Sequence, residues 1–405
     1  MSSRLTTLLG RATLGALLSL TVTGPDRWSP GVKRVAIVPF LALLAAPVAA
    51  DARGAVPLII TGGTLIDGTG REPLPDSVIV IQSGKIVTVT AGGVGAAPVE
   101  ARRIDAGGSW IIPGLIDMHV HYHEWMGQLF LRHGVTTVRD VGSNLDRILE
   151  LRRASRTGDS TGPRIFTCGP LIDGPLPRHG TEISVSVTTE KEARDVARQL
   201  LARGVDCLKV YEQLTPRLVQ AIAQEAQRAA VPVTAHLRDT TAVAALKVGV
   251  KGLEHAFGFE ACDEREGAEV SRLLVELNAY VVPTLAIMDR AGQRLPCLKR
   301  FVSRLRKLGG RVVAGSDTAN LRPMPGVLLH RELELMVEAG LPPQEALMAA
   351  TSTAAEFLGQ GGSLGTIEPG KTADVVVLRG DPLRSITETQ RIDLVIRDGR
   401  VVWER

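Results

Sequence analysis

His119 and His121 close a short apolar run, Pro113-Gly-Leu-Ile-Asp-Met-His-Val-His121. Side chains i and i+2 of a strand share one face, so both imidazoles aim at a single point, as ligation of a divalent metal requires. His-x-His is equally compatible with two histidines on a solvated strand end, so the other polar groups decide. Lys209 lies inside Asp206-Cys-Leu-Lys-Val-Tyr211, His236 ends Val231-Pro-Val-Thr-Ala-His236, His255 ends Gly252-Leu-Glu-His255, and Asp317 ends Ala314-Gly-Ser-Asp317. Taken singly, a strand-end histidine is ordinarily a hydrogen-bonded core residue, and an aspartate after a strand is ordinarily a helix cap. A lysine between Leu208 and Val210 is harder to dismiss, because a buried unpaired ammonium must be neutralised, paired or modified. Four of the eight histidines at such ends, with a lysine and an aspartate, argue for one shared site.

These groups need elements to carry them. Residues 56–112 read as β-structure: Pro57–Ile60, Thr64–Asp67, and a hairpin from Ser77–Ile81 through Ser83-Gly-Lys85 into Ile86–Val89. From residue 111 short apolar runs alternate with helical stretches. The predicted strands are Ile111–Met118, Val135–Arg139, Arg164–Cys168, Cys207–Tyr211, Val231–Ala235, Gly252–Glu254, Tyr280–Leu285 and Arg311–Ala314, with helices such as Glu190–Ala202 and Pro216–Ala230 between them. Eight strands with helical crossovers predict a (β/α)8 TIM barrel. A doubly wound sheet is the alternative, but no glycine-rich dinucleotide loop follows the first strand. Helices over Gly326–Ala339 and Pro343–Thr351, continuing to Leu358, lead to a last β-segment with Thr372–Leu378, Ile392–Arg397 and Val401–Trp403. The expected fold is thus α/β, a barrel over 113–358 with a small β-sandwich built from both the N-terminal (51–112) and C-terminal (359–405) segments.

The first fifty residues differ. Lys33-Arg34 precede an apolar run, Val35–Ala46, and then Pro47-Val-Ala-Ala50. This is the plan of a secretory signal peptide, too short to span a bilayer comfortably, and cleavage near Ala50 is expected, with export to the periplasm or medium. A retained N-terminal anchor and a translation start near Val32 are the alternatives. Without residues 1–50, which hold five basic residues and one acidic, the 47 basic residues fall to 42 and the 43 acidic to 42. The mature chain is neutral, which gives no support for nucleic-acid binding. Of the four cysteines, Cys262 and Cys297 lie near predicted loops and can pair in an oxidising compartment, whereas Cys168 and Cys207 fall in strands and read as buried thiols.

The motifs together resemble the metal-dependent amidohydrolase superfamily, in particular the imidazolonepropionase-like branch that includes Xaa-Pro dipeptidases (prolidases). The matching stretches are Pro113–His121, Gly134–Asp140, Gly204–Tyr211, Ala235-His236, Glu254-His255, Gly315–Asp317 and Gly365–Asp374. The resemblance implies that His119, His121 and Asp317 hold the more buried of two divalent ions, zinc being expected, and that His236 and His255 hold the second. It also implies that Lys209 carries a CO2-derived carbamate bridging both ions, which resolves its burial. Two such cations lower the pKa of a bridging water far below that of bulk water, to about 7. The resulting hydroxide attacks a carbonyl, and Asp317 acts as general base and then acid. The expected reaction is hydrolysis of a C–N amide bond in a small substrate, a dipeptide or N-acyl amino acid. The alternatives are a cyclic-amide, lactone or ester hydrolase on the same site, and a non-catalytic binding protein on the same barrel.

Tyr122, His123, Tyr211 and Arg238 sit just beyond ligand positions and are expected to line the substrate pocket. Arg238, where prolidase-like relatives often carry a second histidine, can anchor a carboxylate through a bidentate pair, an ordinary surface arginine being the alternative. The stretch from His121 to Gly134 is short beside many relatives. His133, His179 and His330 have no partner in the sequence and read as structural. Barrels of this type often form homo-oligomers, and no stretch specifies an interface.

Overall fold

The computed structural model describes residues 56–92, 100–255, 262–291, 294–319 and 325–405. The expected leader and its cleavage site lie outside the described residues.

Two parallel sheets carry the histidine-bearing strands. One has three strands, Leu115–Val120, Val135–Asp140 and Arg164–Thr167. The other has seven, in the order Ser184–Ser186, Leu171–Asp173, Leu208–Val210, Val233–Ala235, Gly252–Glu254, Tyr280–Val282 and Arg311–Val312. Every pairing in it is parallel, and helices make the crossovers from Ser184–Ser186 onward. The ladders are therefore two rather than one continuous eight-stranded circuit. Between Arg311–Val312 and Leu115–Val120 regular pairing lapses because the chain turns at Asp317, in the left-handed region at φ 54°. Single hydrogen bonds span that gap: Met118 N to Ala314 O at 3.0 Å, Asp317 N to His119 O at 2.9 Å, and His121 N to Thr318 O at 2.8 Å. At the other end of the three-stranded sheet, Asp206 N donates to Thr167 O at 2.7 Å.

The helices form where periodicity and capping agree. Glu190–Ala202 begins with a capping box, Thr189 and Glu192 each satisfying the other's backbone amide. Pro216–Arg228 starts with proline at a position that needs no amide donor. Its Leu218, Val219, Ile222 and Ala226 are buried together at helical spacing.

The expected strand Ile111–Met118 is two strands. Trp110–Pro113 pairs antiparallel with Val375–Leu378, whereas Leu115–Val120 pairs with Val135–Asp140. The switch falls at Gly114, where a Cβ would meet the Thr136 side chain at 2.2 Å. Only glycine lets the backbone pass that close. The flanking β-segments do pair with each other, but in hydrogen bonding they make a single eight-stranded sheet, with Trp110–Pro113 between the two halves. Ile60, Ile79, Ile81, Ile111, Val375, Val377, Leu394 and Ile396 share one buried cluster from both halves. The Ser83-Gly84 and Asp398-Gly399 turns both have positive φ, as two-residue hairpins require, and they pack against each other.

Cys168 and Cys207, expected as thiols, are joined in a disulfide with Cα atoms 4.3 Å apart. One follows strand Arg164–Thr167 and the other precedes Leu208–Val210 in the other sheet, and the hydrogen bond from Asp206 N to Thr167 O sets the two side by side. Burial alone reads the same for a thiol and a cystine. Cys262 and Cys297 are also bonded.

Candidate metal centre

The geometry begins with His119, buried at the end of Leu115–Val120. Its Nδ1 lies 2.7 Å from Glu254 Oε2. Nδ1 of His121 lies 2.9 Å from the carbonyl of Gly142. Both partners are acceptors, so each imidazole donates from Nδ1 and keeps its lone pair on Nε2. Those lone pairs converge on one carboxylate oxygen: Asp317 Oδ1 is 3.4 Å from His119 Nε2 and 3.7 Å from His121 Nε2. One ligand atom from each of His119, His121 and Asp317 lies within 4.8 Å of the others.

His255 approaches from the next side, Nδ1 4.0 Å from Asp317 Oδ2 and its ring centroid 4.6 Å from that of His119. His236 meets it edge-on, the ring centroids 4.7 Å apart. His255, Asp317 and Thr284 all have φ near +50°, a conformation costing about 1–3 kcal/mol for such residues. Each is tied down. The His255 amide donates to Val282 O at 2.8 Å, its Nδ1 lies 2.6 Å from Thr284 Oγ1, and the Asp317 amide donates to His119 O. Gly315 permits this crossing, since a Cβ there would stand 2.4 Å from Val282 and 2.8 Å from the His119 side chain. Asp117 accepts from both the amide (2.9 Å) and the hydroxyl (2.6 Å) of Ser316, fastening the two segments. Burial raises its pKa to about 7 against these bonds.

Charge in this pocket is balanced at close quarters. Burial lowers Lys209 to about 8, opposed by Glu254. It also keeps His121 (about 4) and His236 (about 2) neutral, Lys209 adding to both effects. Burial pushes the Glu254 carboxyl up, but Arg139, Lys209 and His119 outweigh it and hold the group below the usual carboxylate range.

A cavity of about 1210 Å³ opens over the centre, lined by His119, His121, Lys209, His236, His255 and Asp317 among others. All six residues expected as ligands therefore share one cavity, although the tight cluster comprises three of them. The expected pocket residues fare differently. Tyr211 lines the cavity, its hydroxyl 2.8 Å from His179 Nε2 and its ring against His236, and His123 lies at the wall. Tyr122 offers only ring surface. Its hydroxyl sits in a notch where a Cβ on Gly127 or Gly162 would meet it at 2.9 or 2.6 Å. Arg238 is already engaged, donating to Glu212 Oε2 at 2.7 Å and Asp239 Oδ1 at 3.0 Å.

Five participants had no role in the sequence reading. Arg178 donates to the other oxygen of the buried Glu212 at 2.7 Å, so one carboxylate holds two arginines at the cavity wall. His179 partners Tyr211. Their signal was a Pro177-Arg-His-Gly180 loop after a barrel-type strand, where functional side chains concentrate. Glu254 and Arg139 stood inside matched motifs, but a sequence does not reveal that two such residues pair. His330, by contrast, is structural: it bonds Thr389 Oγ1 at 2.9 Å and His133 O at 3.1 Å.

Comparison with known proteins decides the family, the Amidohydrolase family match running over residues 110–402. The chain belongs to the amidohydrolase family. Membership sets this amidohydrolase among hydrolases of carbon–nitrogen bonds. It is 26% identical over 370 residues to an adenine deaminase of Ruegeria pomeroyi, a match covering 86% of this chain but 57% of that relative, so the chain spans little more than half of the longer protein. It is 23% identical over 389 residues to an imidazolonepropionase of Thermoplasma volcanium, with coverage of 82% and 92%. A solved Xaa-Pro dipeptidase with methionine bound in its active site superposes with a TM-score of 0.75 at 25% identity, over 86% of this amidohydrolase and 100% of the dipeptidase. The prolidase-like resemblance read from the motifs agrees with this neighbour.

Proposed function

We propose that this amidohydrolase is metal-dependent and hydrolyses the C–N amide bond of a dipeptide or N-acyl amino acid. The observation that carries the reading is the convergence of the His119 and His121 Nε2 lone pairs on Asp317 Oδ1, two neutral imidazoles and a carboxylate of the kind that binds zinc. The donor set fits: each Nδ1 is occupied by an acceptor, which leaves Nε2 for a metal. In this reading His119, His121 and Asp317 hold one divalent ion, zinc by its ligand type, while His236, His255 and a carbamate on Lys209 hold a second. Bound there, the ions would supply Lewis acidity toward the substrate carbonyl and toward water.

The chain's own residues do the rest. Asp317 accepts the proton of the attacking water and delivers it to the departing nitrogen, its carboxylate lying on the cavity floor among His119, His121 and His255. Arg178, held at the cavity wall by one oxygen of Glu212, presents a cationic edge to a substrate carboxylate, and the Tyr211 hydroxyl, oriented by His179, adds a donor beside it. The cavity exceeds what a dipeptide fills, and it adjoins a smaller one of about 480 Å³ beside the exposed Trp125. That favours an N-acyl amino acid with a bulky acyl group.

Two features of the larger architecture belong to the same reading. The single hydrogen bonds between the two parallel sheets support closure as an eight-stranded (β/α)8 barrel, with the mixed sheet as a separate β-domain. The two cystines support export through the leader of residues 1–50. Among the described residues no helix is long and apolar enough to cross a membrane.

The test is a screen of purified protein against dipeptides and N-acyl amino acids, reading released amine. Turnover of a carboxylate-bearing amide, lost on prolonged chelation and restored by zinc, is the expected result. Turnover confined to cyclic amides, lactones or esters would replace this reading with its nearest alternative.

A further inference from the structure

Glu254 is fully buried, and its two oxygens do different work. Oε2 accepts from His119 Nδ1 at 2.7 Å, while Oε1 accepts from Arg139 Nη2 and from the Thr234 hydroxyl. Arg139 is itself only 2% exposed and its Nε donates to the carbonyl of Met118 at 2.7 Å, on the strand that carries His119. Its guanidinium lies over the Phe357 ring, 4.8 Å from the centroid. An arginine serving only to neutralise a buried carboxylate is best matched to both oxygens at once. Here it takes one, and the second is spent on an imidazole.

We propose that Arg139 and Glu254 are positioning residues for His119. The arginine-held carboxylate fixes the imidazole as its Nδ1–H tautomer and so commits Nε2 to the metal. This rests on the metal-binding reading above, but the tautomer itself exists without any metal. The relay runs one way because each donor is fixed. Arg139 has no acceptor to offer, so Glu254 must accept from it, and the acceptor-only carboxylate then requires a hydrogen on His119 Nδ1. An amide in place of Glu254 breaks the logic while keeping the shape. Its oxygen turns to Arg139, its NH2 faces His119 Nδ1, and the ring hydrogen moves to Nε2.

The experiment compares wild type, Glu254→Gln and the double variant Arg139→Met/Glu254→Gln. Zinc affinity is read by competition with a chromogenic chelator, and the His119 tautomer by 15N NMR of metal-free, histidine-labelled protein. The expected result is Nδ1–H in wild type, Nε2–H in Glu254→Gln with zinc affinity reduced about 10- to 100-fold, and a return toward Nδ1–H and tighter zinc binding in the double variant, where no arginine holds the amide oxygen away from His119. Glu254→Gln with unchanged affinity and tautomer overturns the proposal. So does a double variant that keeps Nε2–H and the weakened affinity of Glu254→Gln, because Arg139 would then play no part in setting the tautomer. Should wild type bind no zinc, the metal-binding reading fails, and the relay is judged on the tautomer alone. Should the variants not fold, the wild-type spectrum decides, Nε2–H being the overturning result.

Discussion

His119 Nε2 stands 3.4 Å from Asp317 Oδ1, across the gap where Leu115–Val120 meets the chain after Arg311–Val312. The contact joins residues almost two hundred positions apart, and the backbone is bent to make it, with Asp317 held at positive φ. A side chain presented at such a cost is expected to do chemistry rather than only to bind. Asp317→Asn keeps an oxygen facing the histidines but no longer accepts a proton. We expect it to retain most bound metal while turnover falls by about 10²–10⁴-fold, measured by metal analysis and steady-state kinetics on the same preparation. Persisting turnover would point to another base.

Lys209 is buried between Leu208 and Val210. Lys209→Ala should lose the second equivalent of metal and nearly all activity, and short carboxylic acids should restore part of both by standing in for the carbamate. Full metal content with undiminished turnover would contradict the assignment.

Arg178 and Arg238 share Glu212. Charge-assisted hydrogen bonds are worth about 1.5–3 kcal/mol, so removing Arg178 should lower kcat/KM by about 10- to 100-fold for substrates with a free carboxylate. The same substrates capped as amides should be little affected. Equal losses on both would mean that Arg178 only supports the loop.

Glu332 gives a pH prediction away from the centre. It is fully buried, accepts from Ala286 N at 2.7 Å, and leaves Oε1 without a partner. Burial raises its pKa from 4.5 to about 8. The folded chain therefore holds a proton that the unfolded chain releases, and its stabilising effect, complete below about pH 4.5, fades as pH rises to about 8. Each pH unit in that window costs on the order of 1.4 kcal/mol. Relative to Glu332→Gln, wild type should lose stability steadily from pH 5 to 8, seen in urea melts. Parallel curves would show that Glu332 is ionised in the fold.

The six groups that share the cavity were legible in the sequence, because strand-end polar groups are unusual in apolar runs and because side-chain period fixes which face they share. The helices Glu190–Ala202 and Pro216–Arg228 were legible for the same reason, apolar period reinforced by caps. What escaped were relationships with no local mark. Gly114 divides one apolar run between two sheets only because Thr136 crosses behind it. The Cys168–Cys207 bond depends on the approach of two sheets at residues 39 apart in sequence. Arg238 looked available for substrate because Glu212 and Asp239 carry no sign in the sequence of where their carboxylates turn. The second set, His236, His255 and Lys209, could be grouped by position, but its spacing within the cavity belongs to tertiary packing.

The most direct measurement is the metal content of the full chain purified without chelators, by plasma mass spectrometry against protein concentration. This account predicts two equivalents of divalent metal per wild-type chain, falling to one or fewer when His119 and His121 are both replaced by alanine. A folded wild-type chain that binds none when offered zinc and bicarbonate would contradict it.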